Sequence, residues 1–115
     1  MPNLNMNGAF VLNSKSINEQ VTRTEAGNYA LGKLDGNTFY VSYVGRSDSD
    51  VNGRLQNHAT AGKYSHFMFS YATSPKAAFE KECQNFHDFG GEAVLANLMH
   101  PDLPNGANWK CPVCK

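Results

Sequence analysis

The feature that most constrains the fold is an Asp-Gly pair lying between two runs rich in β-forming residues. The first run, Asn28 to Leu34, reads NYALGKL, and the second, Thr38 to Gly45, reads TFYVSYVG, with DGN between them. Asp-Gly in this setting is among the strongest short-range signals for a tight antiparallel hairpin. We therefore expect a β-hairpin against which the following segments pack.

Four further segments carry recognisable patterns. Residues 47–62 predict a helix, because Ser and Asp candidates for its N-cap precede it and a glycine ends it. Residues 64–72 alternate like a strand, with three aromatic side chains on one side. Residues 74–91 predict the clearest helix, since Ser-Pro begins the segment and Gly-Gly ends it. Residues 92–99 predict one more short helix, which stops before a proline.

The order of these elements predicts an α+β domain. Its sheet is expected to be small, three-stranded and mainly antiparallel, with helices flanking it. The expected division of the chain is a lead-in over residues 1–24, whose start is loose, a folded domain over 25–100 and a Pro- and Gly-rich tail over 101–115.

Composition limits the classes of function. Lys+Arg and Asp+Glu each number 10 in 115 residues, so the net charge is zero. This balance disfavours a strong, non-specific polyanion binder but allows a local site for one phosphate. No apolar run approaches the roughly 18 residues of a membrane span, and no signal-peptide pattern is visible. We expect a cytoplasmic protein with no membrane partner.

Residues that suit phosphodiester chemistry gather around the hairpin and the two longer helices. They are Tyr29 and Tyr43 on the hairpin strands, Arg54 and His58 on one face of the next helix, and Glu82 on the helix after it. A carboxylate can hold Mg²⁺, arginine can stabilise charge that develops on phosphorus, and Tyr or His can take a proton from water. Core tyrosines and a solvated helix face would give the same pattern, so spacing alone is not diagnostic.

The order of these motifs resembles that of the GIY-YIG nuclease family. GNY at Gly27–Tyr29 stands where the family has its first motif, and YVG at Tyr43–Gly45 where it has the second. The resemblance covers residues 27–97 and continues through Arg46, Arg54, Leu55, His58, Ala78, Glu82 and Asn97. Asn28 replaces the family's Ile and should face away from Tyr29 on the strand, so we expect little consequence.

The resemblance implies a metal-dependent endonuclease that hydrolyses DNA phosphodiester bonds with a single divalent ion. Glu82, in preference to Glu80, would hold Mg²⁺ or Mn²⁺ through oxygen and several waters. Tyr29 would deprotonate or orient the attacking water. Because the pKa of an ordinary tyrosine lies near 10, nearby cations would have to favour its phenolate.

The remaining residues of the resemblance have supporting roles. Arg54 would stabilise the phosphate, and Arg46 would add a second cation near the reacting groups. Tyr43 and His58 would position water or phosphate, with His58 also a candidate base, and Asn97 would support the site by hydrogen bonding. DNA is the expected partner, and a protein partner or a homodimer could supply specificity.

The C-terminal tail carries half of a zinc site. Cys111 and Cys114 form a C-x-x-C pair, and a closed structural zinc site needs four ligands. Cys83 and His87, four residues apart on the predicted long helix, are the preferred second half, with His100 as the alternate. Such a site would be structural and would staple the tail to that helix. The opposing interpretation is that Cys83 is a small buried apolar residue and the tail holds no metal.

Two other functions compete with the nuclease. A non-catalytic or partner-dependent, zinc-stabilised module of the same fold, binding nucleic acid or protein, is slightly favoured by the neutral charge. A redox protein built on the C-x-x-C pair is disfavoured, because the pair lies in a terminal loop rather than at the start of a helix after a strand.

Overall fold

The structure, a computed structural model, describes residues 6–88, which form four strands and three helices. In chain order these are β1 (Asn7–Val11), α1 (Ser14–Gln20), β2 (Gly27–Asp35), β3 (Thr38–Ser47), α2 (Val51–Ala61), β4 (His66–Tyr71) and α3 (Pro75–Asp88). The strands make one antiparallel sheet in the order β1-β4-β2-β3. The α+β class predicted from the sequence is confirmed.

The hairpin lies where the Asp-Gly pair predicts it. β2 and β3 are joined by the two-residue turn Gly36–Asn37, in which Gly36 has φ 61°. This left-handed backbone matches the twist of the flanking strands and is the reason for glycine at this position. β2 lies inside the sheet, between β4 and β3, and β3 is an edge strand.

The sheet has four strands rather than the three expected. Residues 7–11, treated above as a loose lead-in, form β1 and pair with β4 at the edge opposite β3. A five-residue edge strand with a single core-packing aromatic, Phe10, is too short to show a clear alternation in the sequence. α1 also comes from the lead-in, and its Ile17 is fully buried. Part of the segment 1–24 therefore belongs to the folded domain.

The caps of α2 and α3 confirm both helix predictions. The Asp50 side chain accepts a hydrogen bond from the Gly53 N–H at 3.2 Å and caps α2, which ends at Gly62. The Ser74 hydroxyl accepts from the Ala77 N–H at 3.1 Å at the start of α3. Such caps satisfy helix donors that have no partner within the helix. The helix predicted over 92–99 lies outside the described residues.

The sheet separates two apolar layers. One face packs against α1 and α2. The buried side chains of this layer, from the sheet, the helices and their loops, are Leu12, Ile17, Val21, Tyr29, Leu31, Val51, Leu55, Phe67 and Phe69. The other face packs Ala30 and Val44 of the strands against Phe86 of α3. Since β3 is an edge strand, side chains from α2 and from α3 can meet around that edge. Within residues 6–88, no helix has the length and apolar character needed to cross a membrane.

A matched pair of leucines tests this layering. Leu55 is fully buried between α2 and the sheet, whereas Leu34 is 40% exposed on the hairpin. We expect Leu55→Ala to lower the free energy of unfolding by about 2–5 kcal/mol, because it leaves a cavity. Leu34→Ala should change it by less than about 1 kcal/mol. Urea denaturation measures both, and equal effects of the two substitutions would contradict the described core.

Candidate active site

Three ring-bearing side chains from different elements meet on the α1/α2 face of the sheet. The Tyr29 hydroxyl of β2 lies 2.9 Å from Nε2 of His58 on α2. Tyr43 of β3 stacks on Tyr29 with ring centroids 6.4 Å apart, and its ring lies 5.3 Å from that of His58. The sequence placed these residues on three separate elements, and the fold brings them into mutual contact.

Gly45 explains how the Tyr29 side chain reaches this position. Tyr29 and Gly45 are cross-strand partners on the hairpin. A Cβ at Gly45 would lie 2.4 Å from both the Tyr29 Oη and Cζ, a distance that real Cβ atoms do not adopt. The phenol ring therefore lies directly over the glycine, and the tyrosine of the first motif depends on the glycine of the second.

An ion pair occupies the α3 side of the same edge. Nη1 of Arg46 on β3 donates to Oε1 of Glu82 on α3, and its Nε donates to Oδ1 of Asp48 at 3.0 Å. The Arg46 guanidinium also lies 5.1 Å from the ring centroid of Phe79. Glu82 is only 8% exposed. Its carboxylate is held by Arg46, which Asp48 and Phe79 also contact.

Neither Asp48 nor Phe79 belongs to the motif pattern that predicted the site. Their positions carry a weak signal, because Asp48 follows Arg46 by two residues and Phe79 precedes Glu82 by three on a helix. That signal is visible only after Arg46 has been placed next to α3.

The two groups are electrostatically coupled around the β3 edge. Burial has the largest effect on the pKa values of Tyr29, Tyr43 and Glu82, and it raises all three. The positive charge of Arg54, exposed on α2, opposes that rise at each of them. The Glu82 carboxylate adds to the rise at both tyrosines. All of these residues and His58 therefore share one local field.

The protonation chemistry differs from the expectation of a stable phenolate. Burial, followed by the effect of Tyr43, raises the pKa of Tyr29 well above 10 despite Arg54. Burial lowers the pKa of His58 below 6.5, and Arg54 and Lys63 lower it further. His58 is therefore neutral near pH 7, and in the tautomer with unprotonated Nε2 it accepts a hydrogen bond from the Tyr29 hydroxyl.

Asn28 has a structural role that the sequence pattern did not show. It is fully buried and faces α3, away from Tyr29, as predicted from strand alternation. Its Nδ2 donates to the Ala78 carbonyl at 2.8 Å, one helical turn before Glu82. Asn28 thus fixes α3 against β2 close to the carboxylate. Within the described residues, its Oδ1 is buried without a hydrogen-bond partner.

The structure describes only part of the predicted zinc site. Cys83 is fully buried and clusters with Phe79, and His87 is half-buried one turn further along α3. Residues 6–88 contain no cluster of three or more His, Cys, Asp or Glu side chains arranged to hold a metal. The other predicted site residues lie outside the described range: Asn97, His100, Cys111 and Cys114.

Comparison with known proteins adds no relative. No protein-family model, no curated protein and no solved structure matches this chain. The likeness to the GIY-YIG nucleases therefore rests on the sequence motifs of residues 27–97.

Gly45→Ala tests the arrangement of the two tyrosine motifs. The added methyl group must displace the Tyr29 ring, so we expect the free energy of unfolding to fall by about 1–3 kcal/mol. Water should then reach His58, and because burial is the main cause of its low pKa, that pKa should rise toward 6.5. An NMR titration of the imidazole measures the shift.

Gly53→Ala is the control, because a Cβ there approaches only the Asp50 side chain. It should leave the titration of His58 unchanged. An unaltered His58 pKa in Gly45→Ala protein would contradict the proposed dependence of the site on this glycine.

Proposed function

We propose that this chain is a metal-dependent endonuclease that hydrolyses DNA phosphodiester bonds. The observation that supports the proposal most directly is the hydrogen bond between Tyr29 and His58 beside the exposed Arg54, with the Glu82 carboxylate in the same field. A proton acceptor, a cation and a carboxylate are the groups that in-line attack of water on a phosphodiester requires.

The Tyr29–His58 pair supplies a route for the proton of the attacking water. Neutral His58 can accept the hydroxyl proton of Tyr29 across their 2.9 Å hydrogen bond while that hydroxyl, fully buried in the free protein, takes a proton from a water that enters with the substrate. This relay does not require a long-lived phenolate, which burial disfavours at Tyr29. Tyr43, in contact with both rings, would orient the water or the phosphate.

Arg54 and Arg46 divide the cationic roles. Arg54 is exposed at the rim and can contact a phosphate on which negative charge builds up during attack. Arg46 is half-buried and paired with Glu82, so its role is to hold the carboxylate in position. Asn97, beyond the described residues, would add a hydrogen bond to this assembly.

We propose that Glu82 would hold a single Mg²⁺ or Mn²⁺. Mg²⁺ in phosphoryl-transfer sites is commonly held by one or two carboxylates, with substrate phosphate and water completing its octahedral shell. Glu82 is such a carboxylate, and its bond to Arg46 involves Oε1 alone. A bound divalent ion would polarise the phosphate and counter the burial that raises the pKa of Glu82.

Two glutamates on α3 provide the test of this function. Glu82→Gln keeps the shape of the side chain but removes its charge, and Glu80→Gln makes the same change two residues away. We expect Glu82→Gln to lower metal-dependent cleavage at least about 100-fold and Glu80→Gln to have little effect. Arg54→Ala should lower cleavage as strongly as Glu82→Gln. The assay uses supercoiled, branched and single-stranded DNA with Mg²⁺, Mn²⁺ or EDTA.

Wild-type cleavage by folded Glu82→Gln protein would rule out the assigned metal ligand. The same assay distinguishes the nuclease from the second candidate function, a non-catalytic or partner-dependent binding module. The neutral charge slightly favours that candidate. Its outcome is DNA bound equally with and without metal and left uncut, with a protein partner or homodimer as the missing component.

A structural zinc completes the proposal. Cys83 and His87 lie one turn apart on α3, the spacing at which two helical ligands can share one ion. Cys111 and Cys114 would close the site, and a reducing compartment, the cytoplasm, would keep these thiols available for metal. The ion would staple the tail to the helix that presents Glu82.

Native mass spectrometry of chelator-free protein measures this zinc. We expect about one ion per chain, lost in Cys114→Ser and His87→Ala protein and retained in His100→Ala protein. Retention in His87→Ala protein with loss in His100→Ala protein would assign the fourth ligand to His100. A metal-free wild-type chain would contradict the proposed structural zinc site.

A further inference from the structure

The β2–β3 ribbon extends beyond the rest of the sheet. β4 pairs with β2 only between Gly27 and Gly32, whereas β3 pairs with β2 as far as Asp35. Residues 33–40 therefore form a two-stranded projection, and apart from the half-buried Phe39 they are all exposed. Phe39 packs against the core on the α3 face, whereas the other residues of the projection are exposed and available for another role.

One face of the projection continues the face that carries the candidate active site. Leu31 pairs with Tyr43, and two residues further along β2 Lys33 pairs with Tyr40. A register shift between Leu31 and Gly32 leaves one extra residue in β3, so Tyr43 and Tyr40 are three residues apart yet lie on the same face. The Lys33 Nζ lies 5.9 Å from the Tyr40 ring centroid, which confirms that the two side chains share a face. Tyr40 is nevertheless 48% exposed.

A second aromatic and basic pair borders the site at the end of α2. The Tyr64 ring lies 6.3 Å from that of Tyr43. Lys63, exposed beside it, is close enough to His58 for its charge to act on the imidazole. Tyr64 and Lys63 therefore border the candidate site at the end of α2, and Lys33 and Tyr40 continue its face along the ribbon.

We propose that this row, made of Lys33, Tyr40, Tyr43, Lys63 and Tyr64, binds an unpaired DNA strand and leads it to the site. The proposal rests on the proposed nuclease function and specifies its substrate as DNA with a single-stranded segment. Tyrosine rings stack on base faces, which a duplex keeps covered, while lysines contact the backbone. Because Lys+Arg and Asp+Glu each number 10, the chain has no net charge to attract a phosphate backbone, so stacking has to supply much of the affinity.

The row differs from the other exposed apolar side chains. Single exposed hydrophobic residues are common and need no explanation. Val11 lies on the opposite edge strand, and Leu34 pairs with Phe39 on the α3 face of the ribbon. Tyr40 alone among the three combines an exposed ring, a neighbouring lysine and the face of the candidate site.

Binding is measured separately from cleavage. The Glu82→Gln background in EDTA prevents cutting, and fluorescence anisotropy follows a labelled single strand of about 15 nucleotides. We expect Tyr40→Ala to weaken binding at least about 5-fold, which corresponds to the loss of one stacked base, and Tyr40→Phe to restore it. Lys33→Ala should weaken binding and reduce its salt dependence. Lys15→Ala, which removes an exposed lysine of α1, should have no effect.

The outcomes separate this inference from the proposed function. Tyr40-dependent binding of the single strand, tighter than binding of the matching duplex, supports the inference even if no DNA is cut. Wild-type affinity of Tyr40→Ala protein, or tighter binding of the duplex, overturns it. If Tyr40→Ala protein cleaves a single strand as well as wild type does in the presence of metal, the nuclease function is supported. The same result contradicts the proposed strand-binding row.

Discussion

The arrangement of the candidate site depends on the Tyr29 ring lying across Gly45. A buried tyrosine needs a partner for its hydroxyl, and the absent Cβ at Gly45 lets the ring pass over β3 to reach His58. The contact fixes the hairpin strands to α2 at the edge where the sheet ends. It also places the buried Tyr29 hydroxyl against the half-buried His58 imidazole, close to the exposed Arg54 charge.

On the opposite face, α3 is positioned by polar contacts that contribute more to geometry than to stability. A partly buried ion pair such as Arg46–Glu82 recovers little more than its own desolvation cost, and an apolar pair of similar volume is often as stable. The Asn28 bond to the Ala78 carbonyl leaves one buried acceptor without a partner among residues 6–88. Two costly polar contacts beside one carboxylate are easier to understand if the position of Glu82 matters for chemistry.

Local chemistry accounts for what the sequence could predict. The turn at Gly36 and the caps at Asp50 and Ser74 are encoded within a few residues, so the hairpin and both longer helices were predictable. β1 was not, since an edge strand of five residues is specified by its pairing with β4. The Tyr29–His58 bond spans 29 residues, and although both residues were assigned to the site, nothing in the sequence predicted their direct contact. The contact between Asn28 and Ala78 spans 50 residues, and no sequence motif predicts it.

The shifted pKa values of Tyr29 and His58 suit a site that is completed by its substrate. Burial favours the neutral form of both groups, so the resting pair carries no charge. A phosphodiester that enters beside them brings a negative charge, which offsets the cost of forming an imidazolium at His58. The basicity of His58 should therefore increase when the substrate is in place. Under the proposed nuclease function, proton transfer from water would then be favoured next to a bound phosphate.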